Sequence, residues 1–298
     1  MGEGLRGSVG RYVGHTMALE IGGMPDPGPI IRGLDNVAYH SGPGLSYSGV
    51  KRLARTPLHF HALAEPHEGF TATPSAAMFA GTLAHCATLE PDQFDARYPQ
   101  GPEVATRAAR EWKAFCADHP GAEPVTRAQR EIAFAQAASL RAHPVVAELL
   151  RAGEPEISVY WRDPPTGILC KCRPDWVHRC GTTARPAAIL LDVKTCQDAS
   201  AQGFAKSVAN FGYHGQADWY CTGFELATGI PVQGMVFAAV ESEFPYAAAA
   251  FMVDDTAMSA ARERNRRALI SYQQCERAQS WPGYPTDLQV ISLPAWGL

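Results

Sequence analysis

The segments ILCKCRPDWV (residues 168–177) and AAILLDVKT (residues 187–195) decide how this chain is read. Both are apolar enough to be strands, and each carries an aspartate toward its end, Asp175 and Asp192. Residues i and i+2 of a strand share a face, so Asp192 and Lys194 point together while Val193 points into the opposite layer. The intervening loop, Arg179 to Pro186, is short enough for the two strands to pair as a hairpin. Pairing brings the two carboxylates together beside Lys194. Two carboxylates about 4 Å apart repel by about 4 kcal/mol at an effective dielectric of about 20. A divalent cation turns that repulsion into attraction, and oxygen ligands favour Mg2+ or Mn2+. Such an ion polarises a phosphoryl oxygen and activates water. Taken alone, Asp-x-Lys is also a common surface ion pair.

Outward from this pair, EISVYW (156–161) alternates and reads as a strand, closed by the turn Asp163-Pro-Pro-Thr-Gly167. FGYHGQADWYCTGFELA reads as a helix over 211–227, and two further strands fall near 232–240 and 246–253. A long polar helix, 257–279, has Thr256 as its expected cap. Upstream the chain is helical. Ser46 or Ser48 can cap a helix from near Gly49, and Pro57 would end or kink it. Further helices are expected over 74–90, with Pro74 in the first turn, over 103–118 and 124–142, and briefly after Pro144. Helices, three strands, a helix, two strands and a helix do not alternate as β-α-β-α. The order predicts an α/β (α+β) fold with a central mixed β-sheet flanked by helices and a helical N-terminal half. Residues 1–44, rich in Gly and Pro, read as a loose arm. That leaves 45–298 as one domain, helical over 45–153, with the sheet and its flanking helices over 154–280.

At 298 residues and 46% apolar, the chain is large enough for a core and is not a wholly disordered sequence. A formal charge of -4 carries no global signal for polyanions, so any such surface must be local or borrow charge from a metal. The first residues lack the apolar core of a secretion signal, and no stretch approaches the ~20 apolar residues of a membrane helix. A cytoplasmic chain with reduced thiols and no membrane association is expected. Cys170, Cys172, Cys180 and Cys196 surround the proposed site in sequence and read as thiols rather than a metal cluster. The basic run RERNRR, 262–267, is interrupted by Glu263, which can pair with Arg267. No phosphate-binding G-x-x-x-x-G-K-[ST] loop is present.

Other polar residues have chemistry to offer. His85, among small residues of a helix, is a candidate ligand or a hydrogen-bonded core histidine. Glu156 opens a strand and is a candidate outer ligand. Gln216 and Tyr220, four apart, share a helix face. The ordered set Gly81 with His85, Gly167 with Asp175, Asp192-Val193-Lys194-Thr195, and Gln216 with Tyr220 resembles the PDDEXK nuclease superfamily. It is most similar to the RecE-type exonuclease domain of phages and prophages. LSYSGVKRLARTPLHF, from Leu45, resembles that family's serine-led first helix, and the similarity spans about residues 44–255.

The resemblance implies a PDDEXK core that binds Mg2+, or Mn2+ in its place, through His85, Asp175, Asp192 and the backbone carbonyl of Val193, with Glu156 as a further ligand. It implies a water held by Lys194, with Gln216 and Tyr220 positioning the substrate backbone or the helix. It implies degradation of linear double-stranded DNA from a 5′ end to leave a 3′ overhang, a homo-oligomeric ring, and a RecT-like single-strand annealing partner in a bacterial host. A nicking or structure-specific endonuclease, or a non-catalytic DNA-binding protein, would use the same scaffold. The second acid here is Asp192, where the family label has Glu.

Overall fold

The structure, a computed structural model, describes residues 30–64 and 75–293. Strands β5 (Trp176–Thr182) and β6 (Arg185–Cys196) form the expected antiparallel hairpin, running from Trp176 opposite Leu191 to Thr182 opposite Arg185. The hairpin is longer than expected, because 179–186 is ladder almost to the tip rather than loop. Gly181 makes this possible: its φ is +81°, and a Cβ there would collide with the Arg185 carbonyl.

β7 (Val232–Glu241) lies parallel to β6, and β8 (Ala248–Phe251) antiparallel to β7. β2 (Gly153–Pro155) pairs along the outer side of β5. The order β2-β5-β6-β7-β8 is the mixed sheet. Parallel neighbours need a crossover, and α9 (Ala201–Phe211) and α10 (Tyr213–Thr228) supply it. The sequence reading placed one helix here. Gly212, in the left-handed region, ends α9 and starts α10, so the apolar pattern of α9 runs out of phase with that of α10.

A second sheet has the order β1-β3-β4, from β1 (Ile30–Ile31), β3 (Ser158–Arg162) and β4 (Leu169–Cys172). The stretch 168–177, read as one strand, is therefore divided. β4 belongs to the smaller sheet, and Arg173 to Asp175 carries the chain across to β5.

The loose arm expected over 1–44 also needs correction. Residues 1–29 lie outside the described residues, but from Ile30 the chain is folded. β1 pairs with β3, and α1 (Asn36–Ser41) buries Tyr39. Lys171, itself buried, donates to the carbonyls of Tyr39 at 2.7 Å and Gly42 at 2.6 Å, at the negative end of α1. The Arg173 guanidinium donates to the Leu34 carbonyl at 2.9 Å and lies 4.1 Å from the Tyr39 ring centre. Elements this short carry no periodicity, and what holds them is two cations more than a hundred residues away.

The remaining helices are α2 (Tyr47–Arg55), α3 (Pro57–Ala64), α4 (Ala76–Leu89), α5 (Pro91–Arg97), α6 (Arg110–Asp118), α7 (Arg127–Ala142), α8 (Pro144–Leu150) and α11 (Asp255–Ala278). Ser46 caps α2, and Pro57 opens α3 at a first-turn position. Ser75 caps α4; Pro74 lies outside the described residues. α6 starts later than the expected 103, α7 carries a capping box of Thr126 and Gln129, and Asp254 rather than Thr256 caps α11. Leu89, Leu140 and Val146 pack against Leu191, Val193 and Val236 on one face of the mixed sheet. Val50, Phe204, Phe224 and Leu269 join Leu190 and Phe237 on the other. Among the described residues no helix is long and apolar enough to cross a membrane.

Candidate active site

The β5–β6 register sets the first contact of the site. Trp176 stands opposite Leu191, so Asp175, one residue before β5, comes level with Asp192. Asp175 Oδ2 accepts the Val193 N–H at 2.8 Å. A strand residue's N–H and C=O project toward the same neighbour, so the Val193 carbonyl is turned to this open side as well.

His85 arrives from α4. That helix lies close to β6 because residue 81 is glycine: a Cβ there would sit 3.2 Å from Thr195 Oγ1. One turn on, His85 Nε2 lies 3.2 Å from Asp175 Oδ2 and 3.2 Å from Glu156 Oε1. Glu156 occupies the bend between β2 and β3 with φ of 51°, uncommon for a residue with a side chain, and its N–H donates to the Asp175 carbonyl at 3.1 Å. Strain of this kind costs of order 1–3 kcal/mol and gathers at functional sites. Arg173 Nε stands 3.8 Å from the other Glu156 oxygen.

Asp192 is turned to the second half of the site. Its Oδ1 accepts from Gln216 Nε2 of α10 at 2.6 Å, and its Oδ2 pairs with the Lys194 ammonium. That Oδ2 is buried and takes no hydrogen bond of normal geometry among the described residues. Lys194 Nζ also lies 4.8 Å from the Tyr213 ring centre, a contact the sequence reading missed and that only the kink at Gly212 creates. Tyr220, one turn beyond Gln216, takes no hydrogen bond among the described residues. Burial, then Tyr39 and Asp192, push its phenol well above the ordinary value.

The electrostatics follow from three carboxylates sharing one buried place. Burial, reinforced by Asp175, lifts Glu156 to about 7 against the pull of His85. Burial and then Asp175 lift Asp192 to about 6 against Lys194. Burial works in the same direction on Asp175, but the charge and hydrogen bond of His85, with Lys194 and the Val193 N–H, outweigh it and hold that carboxyl low. Burial alone would depress His85, yet Asp175, Glu156 and Asp192 push it up to about 9. Lys194 is likewise held up by Asp192 and Asp175 against burial.

This donor set fits a divalent cation. One ligand atom each from His85, Glu156 and Asp175 lies within 4.8 Å of the others. Two carboxylates and one imidazole are an oxygen-rich set of the kind Mg2+ and Mn2+ accept. The structure gathers these three; Asp192 borders them without joining them, engaged by Gln216 and Lys194.

Other sequence candidates fall outside the cluster. Trp176 and Trp219 donate their ring N–H groups to the carbonyls of Leu149 and Lys171 and serve packing. The eight cysteines are free thiols. On α11, Arg262 pairs with Asp218, Arg266 with Asp163, and Arg267 with Glu263 as expected.

A mixed sheet wrapped by helices, with a carboxylate–imidazole cluster beside a buried aspartate–lysine pair, defines the chain as a PDDEXK-like nuclease fold. The pattern of the family described as "PDDEXK-like domain of unknown function (DUF3799)" matches residues 46–294, and the chain belongs to that family. Among solved structures it is similar to a crystal structure from Eubacterium rectale named "Putative exonuclease". The TM-score is 0.60 at 12% identity, covering 91% of this chain and 96% of that one. At that identity the likeness is one of fold. No curated protein matches the chain.

Proposed function

We propose that this protein is a metal-dependent deoxyribonuclease that hydrolyses phosphodiester bonds of linear double-stranded DNA. The observation that carries the reading is the closeness of His85, Glu156 and Asp175 to one another, beside the buried Asp192–Lys194 pair. His85, Glu156 and Asp175 would hold a divalent cation, Mg2+ with Mn2+ able to replace it, and Asp192 and the Val193 carbonyl border the same place. When bound, that ion supplies Lewis-acid activation of the phosphoryl group.

The chain's own residues do the rest. The Lys194 ammonium, tied to Asp192 and set over Tyr213, hydrogen-bonds the attacking water and offsets negative charge gathering on the phosphorus oxygens. Gln216 fixes the Asp192 carboxylate, so Lys194 is aimed by a partner that cannot rotate away. Tyr220 backs Asp192 on the same face of α10. Contacts to the phosphate backbone rather than to base edges carry little sequence information.

The fuller reading follows the resemblance to RecE-type domains. The enzyme works 5′ to 3′ from a DNA end, leaves 3′ overhangs for a RecT-like annealing partner, and acts as a homo-oligomeric ring in the cytoplasm of a bacterial host. A ring would also let a chain of net charge -4 present its basic residues inward.

Strand-specific end labels on a linear duplex, with Mg2+ and with EDTA, beside a closed circle, test this directly. The expected result is Mg2+-dependent shortening from 5′ ends with circles intact. Cutting of circles would make it an endonuclease, and no cutting in Mg2+ or Mn2+ would make it a non-catalytic binder.

A further inference from the structure

Lys51 and Lys194 reach the same corner of the molecule, where α9 meets α10. Lys51 stands on α2, 5.6 Å from the Tyr47 ring centre, with its ammonium 3.5 Å from the Phe211 carbonyl. Lys194 stands over the ring of Tyr213, two residues further on. The two ammonium groups feel each other: burial first, then Lys194, lowers the proton affinity of Lys51. Lys194 has Asp192 as counter-charge. Lys51 has no carboxylate partner among the described residues.

Neighbouring cations share this condition. On α11, Arg262, Arg266 and Arg267 each hold a carboxylate, whereas Arg264, exposed among them, holds none among the described residues. Arg264 precedes Asn265, whose side-chain amide donates to the Gly215 carbonyl at 2.9 Å, and Gly215 abuts the Tyr47 hydroxyl, so α11 brings Arg264 to this corner, where its charge acts on the Tyr47 phenol. Arg52, beside Lys51, is also exposed and without a carboxylate among the described residues. The platform between these cations is rigid: the Tyr47 hydroxyl donates to the Gly212 carbonyl, and residue 215 must be glycine because a Cβ would strike the Tyr47 ring. Cations gathered without counter-charge are unfavourable unless an anion joins them.

We propose that Lys51 and Arg264, both near Tyr47, grip a backbone phosphate of the nucleic-acid strand next to the phosphate held at Lys194, so that α2 and α11 track the substrate into the site. A guanidinium can take two phosphate oxygens and an ammonium one, which suits a phosphodiester rather than a carboxylate ligand. The inference rests on the nuclease reading above and adds where the uncleaved part of the strand lies.

The test is binding of a fluorescent duplex, with Ca2+ replacing Mg2+, across salt, paired with steady-state cleavage in Mg2+. Losing one phosphate contact lowers the slope of log affinity against log salt by about 0.9. Lys51→Gln and Arg264→Gln are each expected to show that loss, with affinity about fivefold weaker. Lys51→Arg is expected to restore both. In cleavage the Gln variants raise KM while turnover at saturating DNA falls by less than about twofold, whereas Lys194→Ala loses turnover. Lys113→Gln on α6 controls for simple loss of charge. Unchanged slope and KM in a protein that cuts DNA would overturn this inference alone. A slope that depends on Lys51 in a protein that does not cut would keep it and overturn the nuclease reading. Absence of duplex binding by the unaltered protein overturns both.

Discussion

Lys194 and Asp192 support each other's burial, and each is costly without the other. Removing one member of a buried ion pair typically costs about 3–5 kcal/mol, because the survivor keeps its desolvation penalty. Lys194→Ala is therefore expected to lower the urea midpoint as well as to cut DNA cleavage at least about 100-fold. Lys194→Ala combined with Asp192→Asn should regain most of the stability and none of the activity; recovery of cleavage would show that Lys194 acts only by balancing charge. At the same scale, His85, Glu156 and Asp175 form a donor set that fits a divalent cation. Mn2+ at about 100 times its Kd should add about 2.7 kcal/mol, read as a melting-temperature rise of about 5–10 °C. Glu156→Gln should abolish most of that rise. An equal rise in the variant would place the ion elsewhere.

At the scale of elements, α11 and the β3–β4 turn are joined by Asp163 and Arg266, with two nitrogen–oxygen contacts at 3.1 and 2.8 Å. Burial pushes the Asp163 carboxyl up, but hydrogen bonds from Arg266 and Thr166 outweigh it and hold it below its ordinary value. A carboxyl held lower in the folded than in the unfolded chain stabilises fully above the unfolded value of about 3.9. That contribution drains away as pH falls through the lower folded value. Asp163→Asn should cost about 2 kcal/mol at neutral pH and markedly less below the folded value. Equal losses in urea midpoint at neutral and strongly acidic pH would refute the assignment. This joint also explains the basic run on α11: two of its arginines, Arg262 and Arg266, are tied to buried aspartates, which spacing along one helix cannot reveal.

At the scale of the whole molecule, residues 30–44 belong to the fold. Lys171 and Arg173 bind them by charge-assisted hydrogen bonds worth about 1.5–3 kcal/mol each. Deleting residues 1–44 should thus cost at least about 2 kcal/mol and lower the melting temperature by about 4–8 °C. A truncated protein that melts with the full chain would restore the loose-arm reading.

Local pattern was sufficient for much of this protein. Alternation in 156–161, the apolar run of 187–195, turn residues at 163–167, and proline and serine at helix starts settle most strands, most helices and the mixed α/β class, because each is a property of a few consecutive residues. The hairpin logic also brings Asp175 and Asp192 together, and the structure has Asp175 just ahead of β5, accepting the N–H of the residue after Asp192. What required tertiary structure was every relation between distant segments. Arg173 to Asp175 changes sheets because β4 pairs with β3 rather than with β6. The close seat of α4 on β6, which Gly81 permits, decides that His85 meets Glu156 and Asp175. Gly212 decides that Tyr213 lies under Lys194. These contacts join residues dozens of positions apart, and their energies come from packing and charge in the folded interior, which no stretch of chain contains by itself.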